Sequence, residues 1–301
     1  TDVNLLKCRV QLQMTVGSFN DQLAITGGLL QIVNPYPPSR MNRVTVRDCK
    51  LTVDCATLGF ALAGGLASLD SRSIHALTLE RNSVQLLLGF LGFSRPQLSG
   101  GLVALTGTVD VASLFVSNNE LIARGTSRDS ATSLFVQGAL LSARAASALF
   151  DWTNVKMFGN SVQLRCAAAS VAGAGAAMEL FGSANVFLSD WGCSNHSVVV
   201  SVSDEAVVNG GCLLVLLQSD RMRVELLSSH FYGVTVLASS RVPAVTGVAV
   251  FISTGGVALS ESSSSVIVRD STFTFCRAFG DDGLRNVGTL AVLGPRSTAV
   301  I

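Results

Sequence analysis

Residues 44–55 read Val-Thr-Val-Arg-Asp-Cys-Lys-Leu-Thr-Val-Asp-Cys, two short alternating segments on either side of a polar centre. Apolar residues alternate with polar ones in each segment, and a period of two is typical of a strand with one buried face. Similar segments begin at Val3, Leu77, Leu114, Val155, Val186, Val224 and Val266. The pattern therefore predicts a strand, a tight bend and a second strand, repeated along the whole chain.

A glycine followed by a short aliphatic segment repeats in phase with this pattern. These glycines are 36 to 41 residues apart and they are Gly28, Gly65, Gly101, Gly138, Gly175, Gly211, Gly247 and Gly288. A unit with three strand-like segments cannot bury its apolar face alone, so it must stack on its neighbours. We predict an all-β fold, a right-handed parallel β-helix with three faces and about eight coils of about 37 residues.

The competing fold is a leucine-rich-repeat-like solenoid, which also repeats a strand and much leucine in each unit. Three strand-like segments per unit, and no amphipathic helix in phase with them, favour the β-helix. About ten residues without a shared pattern precede each glycine, and we expect loops there. Two such connections, 88–99 and 198–210, are candidate recognition segments. We expect residues 1–301 to be one solenoid segment whose ends fall within repeats of a longer chain.

The composition excludes several classes of function. The chain is 49% hydrophobic and 14% charged, and 21 basic and 20 acidic residues leave a net charge of +1. Nucleic acid is therefore not an expected partner, because no basic field attracts it. No apolar run approaches the roughly 20 residues that a spanning helix needs, so we expect no membrane insertion by this segment.

The predicted bends share one column of mostly small or polar side chains. Its members are Cys8, Cys49, Asn82, Asn119, Asn160, Trp191, Ser229 and Ser271. Three asparagines on consecutive coils predict a ladder of side-chain amides hydrogen-bonded along the rod. Cys8 and Cys49 lie on adjacent coils, so they either form a disulfide or remain small buried thiols. Without a CxxC pair, we expect no metal site and no cofactor.

Catalytic motifs are not apparent. A β-helix that cleaves polysaccharides needs carboxylates on neighbouring coils, and the adjacent pair Asp281-Asp282 lies between glycines, as in a solvated turn. His75, His196 and His230 have no serine or cysteine partner at a motif spacing. We therefore expect no catalytic residues and no enzymatic activity.

One candidate ligand-binding column is basic. Arg124, Arg165 and His196 are predicted to occupy the same position on consecutive coils. If they face outward, they form a stripe about 10 Å long that could bind sulfated or carboxylated glycans. The alternative is an ordinary solvated face. Asn195-His196-Ser197 is a glycosylation sequon, so Asn195 is a candidate glycosylation site in a secreted protein.

The segments 44–55, Gly-Gly-Leu-Ala-Ser-Leu at 64–69 and Leu-Thr-Leu-Glu-Arg-Asn-Ser-Val-Gln-Leu at 77–86 resemble the dispersed gene family of very large trypanosome surface proteins. The resemblance implies β-helical ectodomain segments of a glycoprotein that is anchored to the membrane elsewhere in its chain. It also implies roles in adhesion or host contact, and it implies no catalytic residue.

The function we expect is that of a non-enzymatic adhesion or recognition stalk on the cell surface or outside the cell. Its expected partners are glycans or host surface proteins, together with neighbouring repeats of the same parent chain. The alternatives are a polysaccharide-active β-helix lyase or hydrolase and a purely structural spacer.

Overall fold

Parallel strands stack in register into a β-solenoid with four sheets, here called A to D, and each strand pairs with the strand about 37 residues away. The structure is a computed structural model. It describes residues 2–15, 22–33, 40–57, 59–90, 96–108, 110–127, 132–145, 149–166, 169–175, 177–182, 185–217, 223–254, 265–280, 284–293 and 298–300.

The chain passes through sheets A, B, C and D in that order in every coil. Sheet A contains Asp2–Leu6, Arg40–Arg47, Ser73–Glu80, Asp110–Ser117, Phe150–Phe158, Val186–Ser194, Arg223–Leu227, His230–Tyr232, Ser265–Arg269, Thr272–Thr274 and Thr298–Val300. Sheet B contains Arg9–Thr15, Lys50–Thr57, Ser83–Phe90, Glu120–Ser127, Ser161–Cys166, Ser197–Val202, Thr235–Ser239 and Arg277–Gly280. Sheet C contains Gln22–Thr26, Gly59–Ala63, Gln97–Ser99, Thr132–Gln137, Ala169–Gly175, Glu205–Asn209, Val242–Thr246 and Arg285–Val287. Sheet D contains Leu30–Ile32, Ala67–Asp70, Val103–Thr106, Leu141–Ala145, Met178–Gly182, Leu213–Leu217, Val250–Thr254 and Leu290–Leu293.

The prediction of an all-β parallel solenoid is confirmed. The predicted number of faces, three, is wrong because the structure has four sheets. Sheets D, A and B are the three predicted faces, and sheet C fills the connections expected to be loops. The candidate recognition segment 198–210 contains the strand Glu205–Asn209, and 88–99 contains Gln97–Ser99. The short strand Gln97–Ser99 buries one side chain, Leu98, so its alternation is too brief to stand out in the sequence.

The core lies inside the coil, where the apolar positions of all four sheets meet. In the segment 44–55, the side chains of Val44, Val46, Leu51 and Val53 are all 0% exposed. Polar residues between them face outward because successive side chains of a strand point to opposite faces. The alternation that predicts the strands thus also divides the core from the surface.

A tight corner between sheets C and D explains the repeated glycines. Gly64 has φ +61°, a left-handed conformation that side chains with a Cβ rarely adopt. At the next residue, Gly65, a Cβ would meet the backbone oxygen of Gly101 in the following coil. The paired glycines therefore allow both the turn and the close approach of successive coils.

The predicted asparagine ladder is confirmed. The side chains of Asn82, Asn119 and Asn160 are at most 2% exposed. Asn119 Oδ1 accepts hydrogen bonds from the backbone N–H and the Nδ2 of Asn82, at 3.0 and 2.9 Å. Asn160 accepts the same two from Asn119, both at 3.0 Å. Because Asn119 Nδ2 also donates to Leu79 O at 2.9 Å, the amide of Asn119 links its own coil to both neighbours.

The predicted bend column is correct through Asn160 and wrong beyond it. The next members are His196, Val234 and Cys276, as the bonds between successive coils show. The residues expected there lie instead at a second bend within sheet A: Trp191, Ser229 and Ser271. This second bend follows left-handed residues, namely Asn154, Asp190, Ser228 and Asp270. Both bends combine short polar residues with alternating flanks, so the sequence pattern does not separate them.

The ladder predicts a large loss of stability on deletion of its central amide. Asn119→Ala removes the acceptor of two Asn82 donors and leaves Leu79 O without its amide partner. We expect the free energy of unfolding to fall by about 3 kcal/mol, measured by urea denaturation. The exposed asparagine Asn4 provides the control, since Asn4→Ala should change that energy by less than about 0.5 kcal/mol. Equal, small effects of both substitutions would contradict the structural role of the ladder.

Candidate functional site

Two of the three predicted basic residues stand side by side on the outer face of sheet B. Arg124 and Arg165 are register neighbours on adjacent coils, and both are exposed. Their inward neighbours Ala123 and Leu164 are 1% exposed, which fixes the arginines on the opposite face. Both arginines therefore face outward, as a basic stripe requires.

The two arginines line a shallow groove of about 420 Å³, with Gly125, Cys166, Ser201, Val202 and Ser203. Among the residues that the structure describes, neither guanidinium has an ion-pair partner. Register neighbours in a parallel sheet are about 4.8 Å apart, and like charges at that distance repel each other. An anion bound between them would relieve this repulsion and accept charge-assisted hydrogen bonds.

The assignment of His196 to this column is wrong. The register continues from Arg165 to Ser201, so a serine hydroxyl follows the two cations. His196 instead lies five residues earlier, in the bend column next to Asn160. The error comes from the second bend, because counting from Trp191 instead of His196 shifts the predicted column by five residues.

His196 is a buried group at the end of the asparagine ladder. It is 1% exposed, and neither ring nitrogen has a hydrogen-bond partner among the described residues. Burial lowers the pKa of His196 to about 4, although the nearby backbones of Asn160 and Gly211 oppose the shift. The imidazole is therefore neutral at pH 7 and is not available to an external ligand.

The disulfide suggested for Cys8 and Cys49 is not formed. Both thiols are free, and Cys49 Sγ donates instead to the backbone oxygens of Arg47 and Leu5, at 3.3 and 3.5 Å. Burial raises the pKa of Cys49 to about 11, which makes it a poor nucleophile. The alternative of a small buried thiol therefore holds for Cys49, whereas the free Cys8 is half-buried.

A disulfide that sequence reasoning missed joins Cys193 and Cys212, whose Cα atoms are 6.7 Å apart. Cys193 lies in sheet A, and Cys212 lies directly before a strand of sheet D. Both side chains are fully buried, so the bond crosses the interior within one coil. Neither residue shares a column with another cysteine, so the repeat pattern does not predict this bridge.

The other residues predicted as sites, where the structure describes them, lie apart from the groove of Arg124 and Arg165. Asn195 is exposed at a bend with φ +51°, and its glycosylation stays a prediction. Asp281 and Asp282 lie outside the described residues. His75 and His230 are exposed, and His230 Nδ1 is 2.9 Å from Thr272 Oγ1. In the described part of the chain, no three His, Cys, Asp or Glu residues are grouped as metal ligands would be.

The structure also brings together polar residues that sequence reasoning missed. Asp110 and Asp151 are register neighbours on sheet A, and Ser73 Oγ lies 3.1 Å from the Asp110 carboxylate. A second groove, of about 260 Å³, lies between sheets C and D. The sequence does not predict this groove, because strands of sheet C such as Gln97–Ser99 show too little alternation.

Comparison with known proteins finds no match for this chain among protein-family models, curated proteins or solved structures. None of the described segments is a helix long and apolar enough to cross a membrane. Proposals about function therefore depend on the geometry of the chain itself.

The pKa of His196 predicts a pH-dependent stability. The pKa of His196 is lower in the folded protein than in the unfolded chain, where it is about 6.5. The unfolded chain therefore binds the proton first as pH falls. The stabilisation present above pH 6.5 is then lost progressively down to about pH 4, by about 3 kcal/mol in total. In the next coil, the same column contains a valine. The substitution His196→Val should therefore remove the pH dependence of the free energy of unfolding.

Urea denaturation at pH 7.0 and pH 4.5 measures the difference between the two proteins. The exposed His75 provides the control, because His75→Ala should keep the pH dependence of the wild type. An identical pH dependence in wild type and His196→Val would contradict the assignment of a buried neutral imidazole.

Proposed function

We propose that this β-solenoid is a non-enzymatic recognition segment that binds acidic glycans through the groove around Arg124 and Arg165. The observation that carries the proposal is the pairing of these two exposed guanidinium groups with no acidic partner in the described residues. Elsewhere on the surface, the charge of Lys156 is balanced by the Asp190 carboxylate at 2.7 Å.

The chemistry of the groove suits sulfate or carboxylate groups. Each planar guanidinium can donate two parallel hydrogen bonds to such an anion. Ser201 and Ser203 add hydroxyl groups to the same groove, which can bond the uncharged parts of a sugar. Since the arginines are anchored on neighbouring strands, little backbone ordering is needed on binding.

An extracellular or cell-surface location fits this proposal. The Cys193–Cys212 disulfide supports it, because disulfides persist mainly in oxidising compartments. The exposed Asn195 in its sequon is compatible with a secretory route. The resemblance to the dispersed gene family of trypanosome surface proteins leads to the same proposal, a segment of a larger anchored glycoprotein that contacts host glycans or proteins.

The alternative of a polysaccharide-active enzyme has one observation in its favour. Asp110 and Asp151 are carboxylates on neighbouring coils, the arrangement that such chemistry needs. Both are exposed on sheet A, away from the basic groove. Shortening of an acidic oligosaccharide during incubation with the protein would favour the enzyme over the recognition segment.

Binding of a sulfated heparin hexasaccharide tests the proposal. We expect saturable binding that weakens between 50 and 300 mM salt, because salt screens exposed charges. The double substitution Arg124→Ser/Arg165→Ser should lower the affinity at least tenfold, since bonds to charged groups contribute about 1.5–3 kcal/mol each. Isothermal titration calorimetry measures both effects.

The charge-matched control is Arg40→Ser/Arg43→Ser, which removes two exposed arginines from sheet A. It should retain the wild-type affinity. Equal losses in the two double variants would contradict a specific groove, and the absence of binding at either salt concentration would favour the structural spacer.

A further inference from the structure

A second groove lies where one outward column of sheet D changes from small to large side chains. The register connects Ser68, Ala104, Ser142, Glu179, Leu214, Phe251 and Ala291 on consecutive coils. Leu214 and Phe251 form an apolar cluster with Ala291 that fills the concave angle between sheets C and D. Over the coils of Ser68, Ala104 and Ser142, the same angle contains a groove of about 260 Å³.

Both sheets contribute apolar and polar side chains to the groove. Methyl groups come from Ala61, Ala63 and Ala104, whereas hydrogen-bonding groups come from Ser99, Gln137 and Arg144. The volume is smaller than the roughly 300–1,000 Å³ of clefts for drug-sized ligands, so it suits one or two sugar rings. A sugar ring has an apolar C–H face and a polar edge, and this groove offers a surface to each.

The hydroxyl groups of the groove are oriented by a buried carboxylate. Ser99 Oγ donates to Ser142 Oγ at 3.2 Å, and Ser142 Oγ donates to Glu179 Oε2 at 3.0 Å. With both protons committed in this direction, the free lone pairs of Ser99 can accept hydrogen bonds from a ligand. Chains of hydrogen bonds of this kind polarise and strengthen one another.

Burial of the Glu179 side chain lowers the stability of the fold. Its side chain is 0% exposed, and Oε1 has no hydrogen-bond partner among the residues that the structure describes. Burial raises the pKa of this carboxyl, and the nearby Arg144 only partly opposes the shift. The next coil places Leu214 in the same column, so the fold itself accepts an apolar residue there. A buried carboxylate with an unpartnered oxygen, beside an open groove, indicates a role other than folding.

Arg144 is held in the groove by neighbouring side chains. Arg144 is the charged residue lining it, and its guanidinium lies 5.5 Å from the centre of the Phe181 ring and bonds the Gln137 side chain. The buried Glu179 carboxyl lies near enough to interact with the charge of Arg144. Arg144 is therefore positioned as a hydrogen-bond donor and not as the centre of an anion site.

We propose that the groove between sheets C and D binds neutral sugar residues, with Ser99, Gln137 and Arg144 as contact residues and Glu179 as a positioning residue acting through Ser142. The site is on different sheets from the basic groove around Arg124 and Arg165, and it does not depend on that proposal. A free disaccharide and a segment of a neutral polysaccharide share the chemistry that the groove recognises.

Calorimetric titration with maltose, cellobiose, lactose and mannobiose, and with the hexasaccharide homologues of maltose and cellobiose, tests the proposal. We expect saturable binding of at least one disaccharide. Higher affinity for a hexasaccharide identifies a polysaccharide as the source, and equal affinity identifies a free sugar. The absence of binding by every one of these sugars would overturn the proposal.

Substitutions within the column separate binding from folding. Ala104→Leu should fill the groove and lower the affinity at least tenfold, and Leu214 shows that the column accepts this side chain. Glu179→Leu should lower the affinity severalfold while raising the midpoint of thermal unfolding. A purely structural role predicts the opposite for Glu179, a lower midpoint, and that result would overturn its positioning role.

Two control variants complete the design. Ser253→Leu adds a leucine to the same outer face of sheet D, in the column of Leu216, and should leave the affinity unchanged. Arg124→Ser/Arg165→Ser should also leave it unchanged. Sugar binding that survives Ala104→Leu, or that is lost with the arginine pair, would show that the sugar does not bind in this groove.

Discussion

Stacking of parallel strands in register, about 4.8 Å apart, is the constraint on which the other features of this protein depend. It brings residues about 37 positions apart into direct contact, so a column of side chains is the unit of structure. The interior shows the consequence most clearly at Asn119, whose amide bonds the coils on both sides. An asparagine alone in such a column would leave buried polar atoms without partners, which costs free energy. Three in succession satisfy one another.

The same constraint determines what the sequence can reveal. Apolar alternation at Val44, Val46, Leu51 and Val53 is strong enough to predict sheets A and B, and the repeated glycines with the aliphatic segments after them predict the strands of sheet D. Sheet C could not be predicted because a strand such as Gln97–Ser99 shows too little alternation. The predicted register of the later coils is wrong for a different reason: the second left-handed bend, which includes Asp190, has the same polar appearance as the first.

Columns also explain how this fold can carry sites without changing its core. On sheet B, one outward column passes from Leu87 through Arg124 and Arg165 to Ser201, and the strands beneath are unaltered. On sheet D, a column passes from small residues to Glu179 and then to Leu214. The exposed pair was visible in the sequence as two arginines in phase. The groove was not, because it requires the unpredicted sheet C as its second wall.

Disulfide trapping across the arginine column tests the register most directly. In Arg124→Cys/Arg165→Cys, the Cα atoms should be about 4.8 Å apart, within the range that a disulfide tolerates; in Arg124→Cys/Gln163→Cys, a shift of two residues separates them by about 8 Å. Mild oxidation followed by mass spectrometry of peptides should therefore find the bridge in the first variant alone. A bridge in the second variant and none in the first would contradict the register, and with it the account of both grooves.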